Sequence, residues 1–326
     1  MNQRYFERAG FDGDSEELVG DISRDFGLGD VQGTSAVFAV GYEDCNLKLQ
    51  TASGDFVIKA FAKSRTPQEV ERYVDVVQAA IEEGVHHPQL MMPKEGRPIY
   101  RHPSGVSLVV MDFIHGQTYF GTGTVPSDQE LELVMAEALK IHQLTIQPEP
   151  IYDAWAIPNI RKMYEVAGSF LDDSGKELVD QAVGAYEAID KSKLTQCFVH
   201  GDIIGTNTLK GTDGKIWILD FAVSNIYPKI QELAVIATSL MSSPGSPKPL
   251  RERVNETVRA YRSVGGELTD YEERVLTDYA IASAAMEFLG GHKAKYIDKE
   301  DPVESDHWIK LGRENLEEAL GERSSG

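Results

Sequence analysis

The chain has 326 residues, of which 41% are hydrophobic and 26% charged, values typical of a globular protein that can bury a sizeable core. The formal net charge of −20 argues against a general nucleic-acid-binding role, because such a role needs a basic surface. The charge permits a cationic substrate, but it is equally typical of a protein that simply stays soluble or works in a salty cytoplasm.

The sequence indicates neither a membrane span nor a disulfide scaffold. No run of about 18 apolar residues occurs, and the first residues lack the apolar stretch of a secretory signal. The two cysteines, Cys45 and Cys197, are too few for a disulfide framework. We therefore expect a protein of the reducing cytoplasm without a membrane partner.

Residues 1–114 predict a small, β-rich N-lobe. A short amphipathic helix over 15–27 comes first, and short runs rich in Val, Phe and Leu then alternate with turn residues, as in antiparallel strands. The predicted strands are residues 34–41, 46–52, 55–62, 97–102 and 107–113.

One longer helix interrupts these strands. Thr66 and Pro67 are the residue types that favour a helix N-cap and a first helical position. Gly84 is typical of a helix end, so we expect a helix between these points.

Residues 115–326 predict a larger, mostly helical C-lobe that follows a hinge near residues 112–116. Ser127 is a candidate N-cap for the helix that opens this lobe. Short strands return between residues 196 and 222, and the chain is mostly helical from about residue 229. The fold class is therefore α+β, and ligand sites favour the cleft between two such parts.

The strongest chemical signal is a loop that contains His200, Asp202 and Asn207, followed eighteen residues after Asp202 by Asp220 at the end of an apolar strand. Phosphoryl transfer needs one carboxylate to accept or orient the proton of the attacking hydroxyl. It also needs a second carboxylate and an amide oxygen that hold Mg²⁺. The alternative is that Asp202 is a turn residue, Asn207 a cap and Asp220 a plain strand end.

This pattern resembles the catalytic core of the aminoglycoside phosphotransferase/choline kinase superfamily, which shares its fold with eukaryotic-type protein kinases. The resemblance covers roughly residues 33–290. It implies a two-lobed fold, ATP and Mg²⁺ as cofactors with GTP not excluded, and a small-molecule hydroxyl acceptor. It also implies Asp202 as the catalytic base, Asn207 and Asp220 as metal ligands, and His200 as a structural residue. Gly201 stands where protein kinases typically have Arg.

Lys59, inside an otherwise apolar strand, resembles the kinase lysine that contacts the α- and β-phosphates and pairs with a glutamate of the next helix. It could instead point to solvent. Of the four glutamates in that helix, Glu69 lies on the apolar arc, where a carboxylate would need a charged partner. We therefore expect Glu69 rather than Glu71 to pair with Lys59. The alternative for Glu69 is an acid favoured by the helix dipole.

The segment 108–116 resembles the strand and hinge that hold adenine in this family. The resemblance implies that Met111 sits behind the adenine and that backbone groups of Asp112 and Ile114 make its hydrogen bonds. The alternative is a plain edge strand and turn. His142, near the end of a helix, is interpreted as a packing residue rather than a catalytic one.

Three departures from the family pattern affect the interpretation. No Gly-rich phosphate loop is present, because the first hairpin offers only Gly33 and Gly41. Phe221 stands where many aminoglycoside enzymes have Trp and is not followed by Gly, and Glu232 replaces a normally structural Asp. The last two departures lean toward homoserine- or amino-alcohol-type kinases over antibiotic-resistance enzymes.

Acceptor specificity is expected in the stretch 150–165 and in the helices after 229. Acidic and aromatic residues there could bind an amine or stack on a sugar, although helical residues of this kind are more often core. The candidates are Asp153, Asp278, Glu287, Trp155, Tyr279 and Phe288. The alternatives to a small-molecule kinase are a catalytically silent nucleotide-binding fold, a protein kinase or an unrelated α+β protein.

Overall fold

The computed structural model describes residues 9–11, 13–32, 36–37, 44–94, 96–242, 245, 248–300 and 302–324. Within the chain two compact units form, an N-terminal unit of residues 1–116 and a C-terminal unit of residues 117–326. The division lies two residues beyond the boundary expected from the sequence.

The N-terminal unit is built on a five-stranded antiparallel sheet with the order β1-β2-β3-β5-β4. Its strands are β1 Ala36–Val37, β2 Cys45–Thr51, β3 Gly54–Ala60, β4 Tyr100–Arg101 and β5 Ser107–Asp112. Strand β3 lies between β2 and β5, which places Lys59 opposite Asn46 and Val109. Gly33, Gly41 and most of the strand predicted over 34–41 fall outside the described residues.

Two helices complete this unit, and local sequence signals explain both. Helix α1 is Ser15–Phe26, and Gly27 ends it in the left-handed conformation with φ 68°. Helix α2 is Pro67–Glu82, where Thr66 and Glu69 form a capping box. The helix predicted from Thr66 and Pro67 is thus confirmed. Its buried face consists mainly of apolar side chains, among them Val70, Tyr73, Val74 and Val77.

The C-terminal unit is mostly helical, with short strands inserted. Its helices are α3 Tyr119–Thr122, α4 Asp128–His142, α5 Ile160–Ala167, α6 Asp173–Glu187, α7 Ile230–Val235, α8 Leu250–Ser263, α9 Asp270–Lys293 and α10 Pro302–Ser324. Its strands are β6 Gly116–Thr118, β7 Gln196–Val199, β8 Thr208–Gly211, β9 Ile216–Ile218 and β10 Asn225–Pro228. These strands form a β6-β8-β9 sheet and a β7-β10 pair.

The core of the C-terminal unit surrounds α9, which is buried along most of its last three turns. Helix α10 approaches α9 closely at Gly312, which has no side chain. A Cβ on Gly312 would lie 2.5 Å from the backbone nitrogen of Phe288, so any larger residue there would force the helices apart. No helix in the described part of the chain has the length and apolarity needed to cross a bilayer.

Candidate active site

The predicted catalytic loop lies in the C-terminal unit between two pieces of sheet. Strand β7 ends at Val199, directly before the loop, and β8 begins at Thr208, directly after Asn207. The amide N–H of Leu219 donates to the carbonyl of Asn207 at 2.8 Å, which ties the end of the loop to the segment that carries Asp220. The sequence-predicted residues Asp202, Asn207 and Asp220 are therefore brought to one place by strand pairing.

His200 braces this loop from inside. Its side chain is buried, and its Nε2 lies 3.1 Å from the carbonyl oxygen of Leu219. The amide N–H of Asp202 donates to Nδ1 at 3.2 Å, which assigns the ring proton to Nε2. The ring also packs against Phe221, with 4.5 Å between the ring centroids. Both ring nitrogens are thus used internally, as a structural role requires.

Asp202 is half-buried at the centre of the loop and is oriented by Asn207. The side-chain amide of Asn207 donates to Oδ2 of Asp202 at 2.6 Å and to the Asp202 carbonyl at 3.2 Å. Removal from water and the negative charges of Asp153 and Asp220 raise the pKa of Asp202 to about 8, although the bond from Asn207 lowers it. The environment of Asp202 therefore disfavours its ionised form unless a cation lies nearby.

Asp220 follows β9 with an uncommon backbone conformation. Its φ of 63° lies in the left-handed region, which non-glycine residues adopt at a free-energy penalty and which is frequent at functional sites. Its Oδ1 accepts a hydrogen bond from the amide N–H of Ala222 at 3.3 Å. The surrounding strands therefore hold this carboxylate in a fixed direction at the cost of backbone strain.

The donor set fits Mg²⁺, which the kinase-like resemblance implies. The nitrogen of the Asn207 side-chain amide is turned toward Asp202, which leaves the amide oxygen available as a metal ligand. Asp220 supplies a carboxylate as a second ligand. In the described residues, no three His, Cys, Asp or Glu side chains converge as metal ligands. Such a small set of hard oxygen ligands suits Mg²⁺, which keeps water and binds phosphates.

Glu232 fixes the first residues of the catalytic loop. Its buried carboxylate accepts hydrogen bonds from the amide N–H groups of His200 at 2.6 Å and Gly201 at 3.2 Å. Burial raises the pKa of Glu232 to about 7, against the opposing effect of these N–H donors. Gly201 adopts φ 82°, which glycine tolerates best. Glu232 therefore has the structural role that the resemblance gives to aspartate.

In the N-terminal unit, Lys59 is buried and pairs with Asp44. Its Nζ lies 3.0 Å from Oδ2 of Asp44, and both side chains are at most 3% exposed. Lys59 therefore does not point to solvent. The prediction that Glu69 pairs with Lys59 is wrong, because Glu69 caps its own helix. Its Oε2 accepts hydrogen bonds from the amide N–H of Thr66 at 2.7 Å and from the Thr66 hydroxyl at 2.9 Å.

The error over Glu69 has a physical cause. Glu69 occupies the third position of α2, where a glutamate can satisfy the backbone N–H of the N-cap residue. Glu69 therefore acts at the start of its helix, which is nearer to the alternative interpretation, an acid favoured by the helix N-terminus, than to the predicted ion pair with Lys59. Asp44 is missed by sequence reasoning because it lies in a short polar segment between two predicted strands, a pattern that indicates a turn. The available signal was that a buried lysine needs a carboxylate from somewhere in the sheet.

The predicted adenine-binding hinge follows β5. Met111 is buried and lies opposite Val57, and Ile114 is half-buried. The amide N–H of Asp112 donates to the carbonyl of Gln89 at 3.1 Å, so this N–H is already engaged within the unit. The nucleotide roles of Met111, Asp112 and Ile114 stay predictions.

Four of the six candidate acceptor residues fall into two groups. Asp153 lies close enough to Asp202 to raise the pKa of that carboxyl, so it belongs to the neighbourhood of the base. Tyr279 and Phe288 are core residues, each at most 1% exposed, and Glu287 is buried beside Ser239. Tyr279, Phe288 and Glu287 are therefore core residues rather than part of an exposed surface for stacking on an acceptor.

His142 is a packing residue, as predicted. His142 is the last residue of α4, and its Nδ1 lies 2.8 Å from the hydroxyl of Tyr261 in α8. Burial lowers the pKa of this imidazole to about 3, so the ring is neutral at ordinary pH.

Comparison with known proteins places the chain in a family and supports its fold. The sequence profile of the phosphotransferase enzyme family matches residues 35–268. None of the curated proteins searched matches the chain. Similar solved structures include an amicoumacin kinase in complex with AMP-PNP, Ca²⁺ and Ami, which is 14% identical with a TM-score of 0.67 and covers 97% of this chain and 96% of that chain.

Two further structures show the same likeness. The AMP-bound spectinomycin phosphotransferase APH(9)-Ia is 16% identical, and a microcompartment-associated aminopropanol kinase is 14% identical. Each has a TM-score of 0.70 and covers 94% of this chain and 98% of its own. At these identities the likeness shows the fold, and it confirms the predicted kinase-like α+β class.

Proposed function

Because this chain belongs to the phosphotransferase enzyme family, we propose that it transfers the γ-phosphate of ATP to a hydroxyl group of a small molecule. GTP remains an alternative donor. The observation that carries the proposal is the constellation of Asp202, Asn207 and Asp220, in which one carboxylate is oriented by an amide and another is held in a strained backbone.

Asp202 is proposed as the catalytic base. As the acceptor oxygen attacks the γ-phosphorus, its proton passes to the carboxylate of Asp202, and the bond to the β-phosphate oxygen breaks to leave ADP. The position of Asp202 supports this role, because its carboxylate is directed by Asn207 and lies near Asp220, the other residue that would hold the metal. Asn207 keeps the carboxylate aimed, and His200 and Glu232 keep the loop backbone in place.

The remaining roles concern the nucleotide. Asn207 and Asp220 would hold Mg²⁺, which when bound neutralises charge on the phosphates. Lys59 would contact the α- and β-phosphates, as in the family that the sequence resembles. Met111 would lie behind the adenine, with backbone groups of Asp112 and Ile114 as its hydrogen-bond partners. The structural neighbours solved with AMP-PNP or AMP support a nucleotide ligand.

A positively charged acceptor, such as an amino alcohol, is the second candidate. Asp153 favours it, because this carboxylate acts on Asp202 and would also attract a cation beside the base. The likeness to an aminopropanol kinase points in the same direction. We propose the cytoplasm as the compartment, on the basis of the cysteine content.

The test is Mg²⁺-dependent release of ADP against a panel of hydroxyl compounds. The panel contains aminoglycosides, macrolides, choline, ethanolamine, homoserine, fructosamines, methylthioribose and simple sugars. Asp202→Asn is the blank and is expected to lower kcat by a factor of about 100 or more while ATP binding is kept. Asp213→Asn, at an exposed turn between β8 and β9, is the matched control for loss of one aspartate charge.

ADP release with one compound, lost in Asp202→Asn and kept in Asp213→Asn, would support both the reaction and the acceptor class. Near-normal turnover in Asp202→Asn would contradict the assignment of the base. ATP binding without turnover of any compound would favour a non-catalytic nucleotide-binding role.

A further inference from the structure

Three charged side chains form a buried cluster in the N-terminal unit. Asp44 lies directly before β2, Lys59 lies in β3, and Arg65 lies directly before the N-cap of α2. The carboxylate of Asp44 is 3.0 Å from Nζ of Lys59 and 2.9 Å from Nε of Arg65, and it accepts the amide N–H of Ala62 at 2.9 Å. One carboxylate therefore receives two cations and a backbone donor.

Because the two side chains are buried, each of the two charges needs the other. The side chains of Lys59 and Asp44 are 2% and 3% exposed, so each charge would be strongly disfavoured without the other. Burial alone would raise the pKa of Asp44, but Lys59, Arg65 and the Ala62 N–H outweigh it and lower the pKa to about 2. Asp44 is therefore ionised at every pH at which the protein would work.

Among the described contacts, the carboxylates of α2 pair with groups other than Lys59, and Asp75 pairs with Arg97. Glu69 caps the helix, and Glu71 pairs with Arg101 at 3.2 Å. Glu82 and Glu83 are exposed at the far end of the helix. The side chain that α2 does bring to Lys59 is Tyr73, whose ring centroid is 5.3 Å from Nζ. The charge partner of the lysine thus comes from the sheet, and the helix contributes an aromatic face.

We propose that Asp44 is the positioning residue of the nucleotide-binding lysine, in place of a glutamate of α2. The inference rests on the proposed function, in which Lys59 contacts phosphate oxygens. A lysine ammonium carries three N–H donors, and a fixed carboxylate directs them. Strands β2 and β3 are paired along their whole length, which fixes the backbone of Lys59, and the ion pair with Asp44 directly before β2 then fixes Nζ. Displacement of α2 would then leave the lysine in place.

A double-mutant cycle in the full chain tests this role, with binding measured by calorimetry. The variants are Asp44→Asn, Lys59→Met and the double variant, and the ligands are Mg·ATP and adenosine. We expect Asp44→Asn and Lys59→Met each to weaken Mg·ATP binding about tenfold or more, as misplacement of a binding group does. Affinity for adenosine, which has no phosphates, stays unchanged.

The cycle separates positioning from folding. If Asp44 acts through Lys59, the double variant binds Mg·ATP as Lys59→Met does, and the two effects do not add. Asp44→Glu keeps a carboxylate and is expected to retain most of the affinity for Mg·ATP. This variant also provides the test if Asp44→Asn folds poorly. Glu69→Gln is the matched control on α2 and should bind Mg·ATP as the unaltered chain does.

Each contrary result has a distinct meaning. Failure of the unaltered chain to bind Mg·ATP would count against the proposed function itself. Binding by the unaltered chain with unchanged or tighter binding in Asp44→Asn would overturn the role of Asp44 alone, as would strictly additive effects in the cycle. Loss of affinity in Glu69→Gln would return the role to helix α2.

Discussion

Carboxylates dominate the chemistry of this protein at the scale of single residues. Burial raises the pKa of Asp202, and repulsion from Asp153 and Asp220 raises it further, whereas at Asp44 the cations Lys59 and Arg65 outweigh the effect of burial and lower the pKa. The same residue type is thus biased toward its protonated form at one site and toward its anion at the other. The difference follows from the charges that surround each group.

Asp220 is expected to control the requirement for Mg²⁺. Asp220→Asn removes the charge but keeps a residue type that tolerates the left-handed backbone at φ 63°. We predict that the Mg²⁺ concentration needed for half-maximal ATP turnover rises about 10- to 100-fold. A magnesium titration of ADP release measures this shift, with Asp213→Asn as the control. An unchanged titration would remove Asp220 from the metal site.

Asp44 is expected to give the stability of the protein a characteristic acid dependence. Its pKa falls from 3.8 when unfolded to about 2 when folded, so the folded state holds the proton more weakly. The resulting stabilisation, about 2 kcal/mol, is fully present above pH 3.8 and is lost as the pH falls toward 2.

Urea unfolding of the unaltered chain and Asp44→Asn measures this contribution. The difference in the free energy of unfolding should be constant from neutral pH down to about pH 4 and should shrink below it. A difference that stays constant down to about pH 2.5 would show that Asp44 is not the titrating group.

At the scale of elements, backbone N–H groups at the ends of helices and strands need hydrogen-bond acceptors, and two glutamates supply them. Glu232, at the start of α7, satisfies two such groups in the catalytic loop, and Glu69 satisfies the N-cap of α2. The two glutamates have similar chemistry but different consequences, because one fixes the site loop and the other only begins a helix.

Glu232 can be tested by paired substitutions. Glu232→Gln replaces one acceptor oxygen with an NH₂ group that faces an N–H donor, and it should lower the free energy of unfolding by about 3 kcal/mol and lower kcat. Glu232→Asp keeps both oxygens and should be milder in both respects. Urea unfolding and ADP release measure the two effects. Equal damage by Asp and Gln would mean that side-chain length, not the acceptors, matters.

At the scale of the whole molecule, the net charge of −20 opposes compactness through self-repulsion. Salt shortens the range of this repulsion, from a Debye length of about 10 Å at 0.1 M to about 3 Å at 1 M. We therefore predict that Tm rises by several degrees between about 0.02 M and about 0.5 M NaCl. Sucrose at matched osmolality is the control, and a fall in Tm would show that surface ion pairs outweigh the net repulsion.

Sequence reasoning succeeded where a signal is local. Thr66 and Ser127 begin helices because their own hydroxyls cap the first backbone N–H groups. The alternation of Val, Phe and Leu identified strands β2, β3 and β5. The spacing of Asp202, Asn207 and Asp220 predicted one site, since a loop, a hairpin and a strand end return the chain to the same place.

What only the tertiary structure decided is which charges meet. Lys59 takes its carboxylate from Asp44, fifteen positions earlier, because the pairing of β2 with β3 brings the two together, whereas the periodicity of α2 pointed to Glu69. Likewise, burial and the charge of Asp153, a residue remote in sequence, raise the pKa of Asp202. Helix and strand signals act over a few residues, but electrostatic pairing acts through space, so the sequence determined the elements and the folded chain determined the partners.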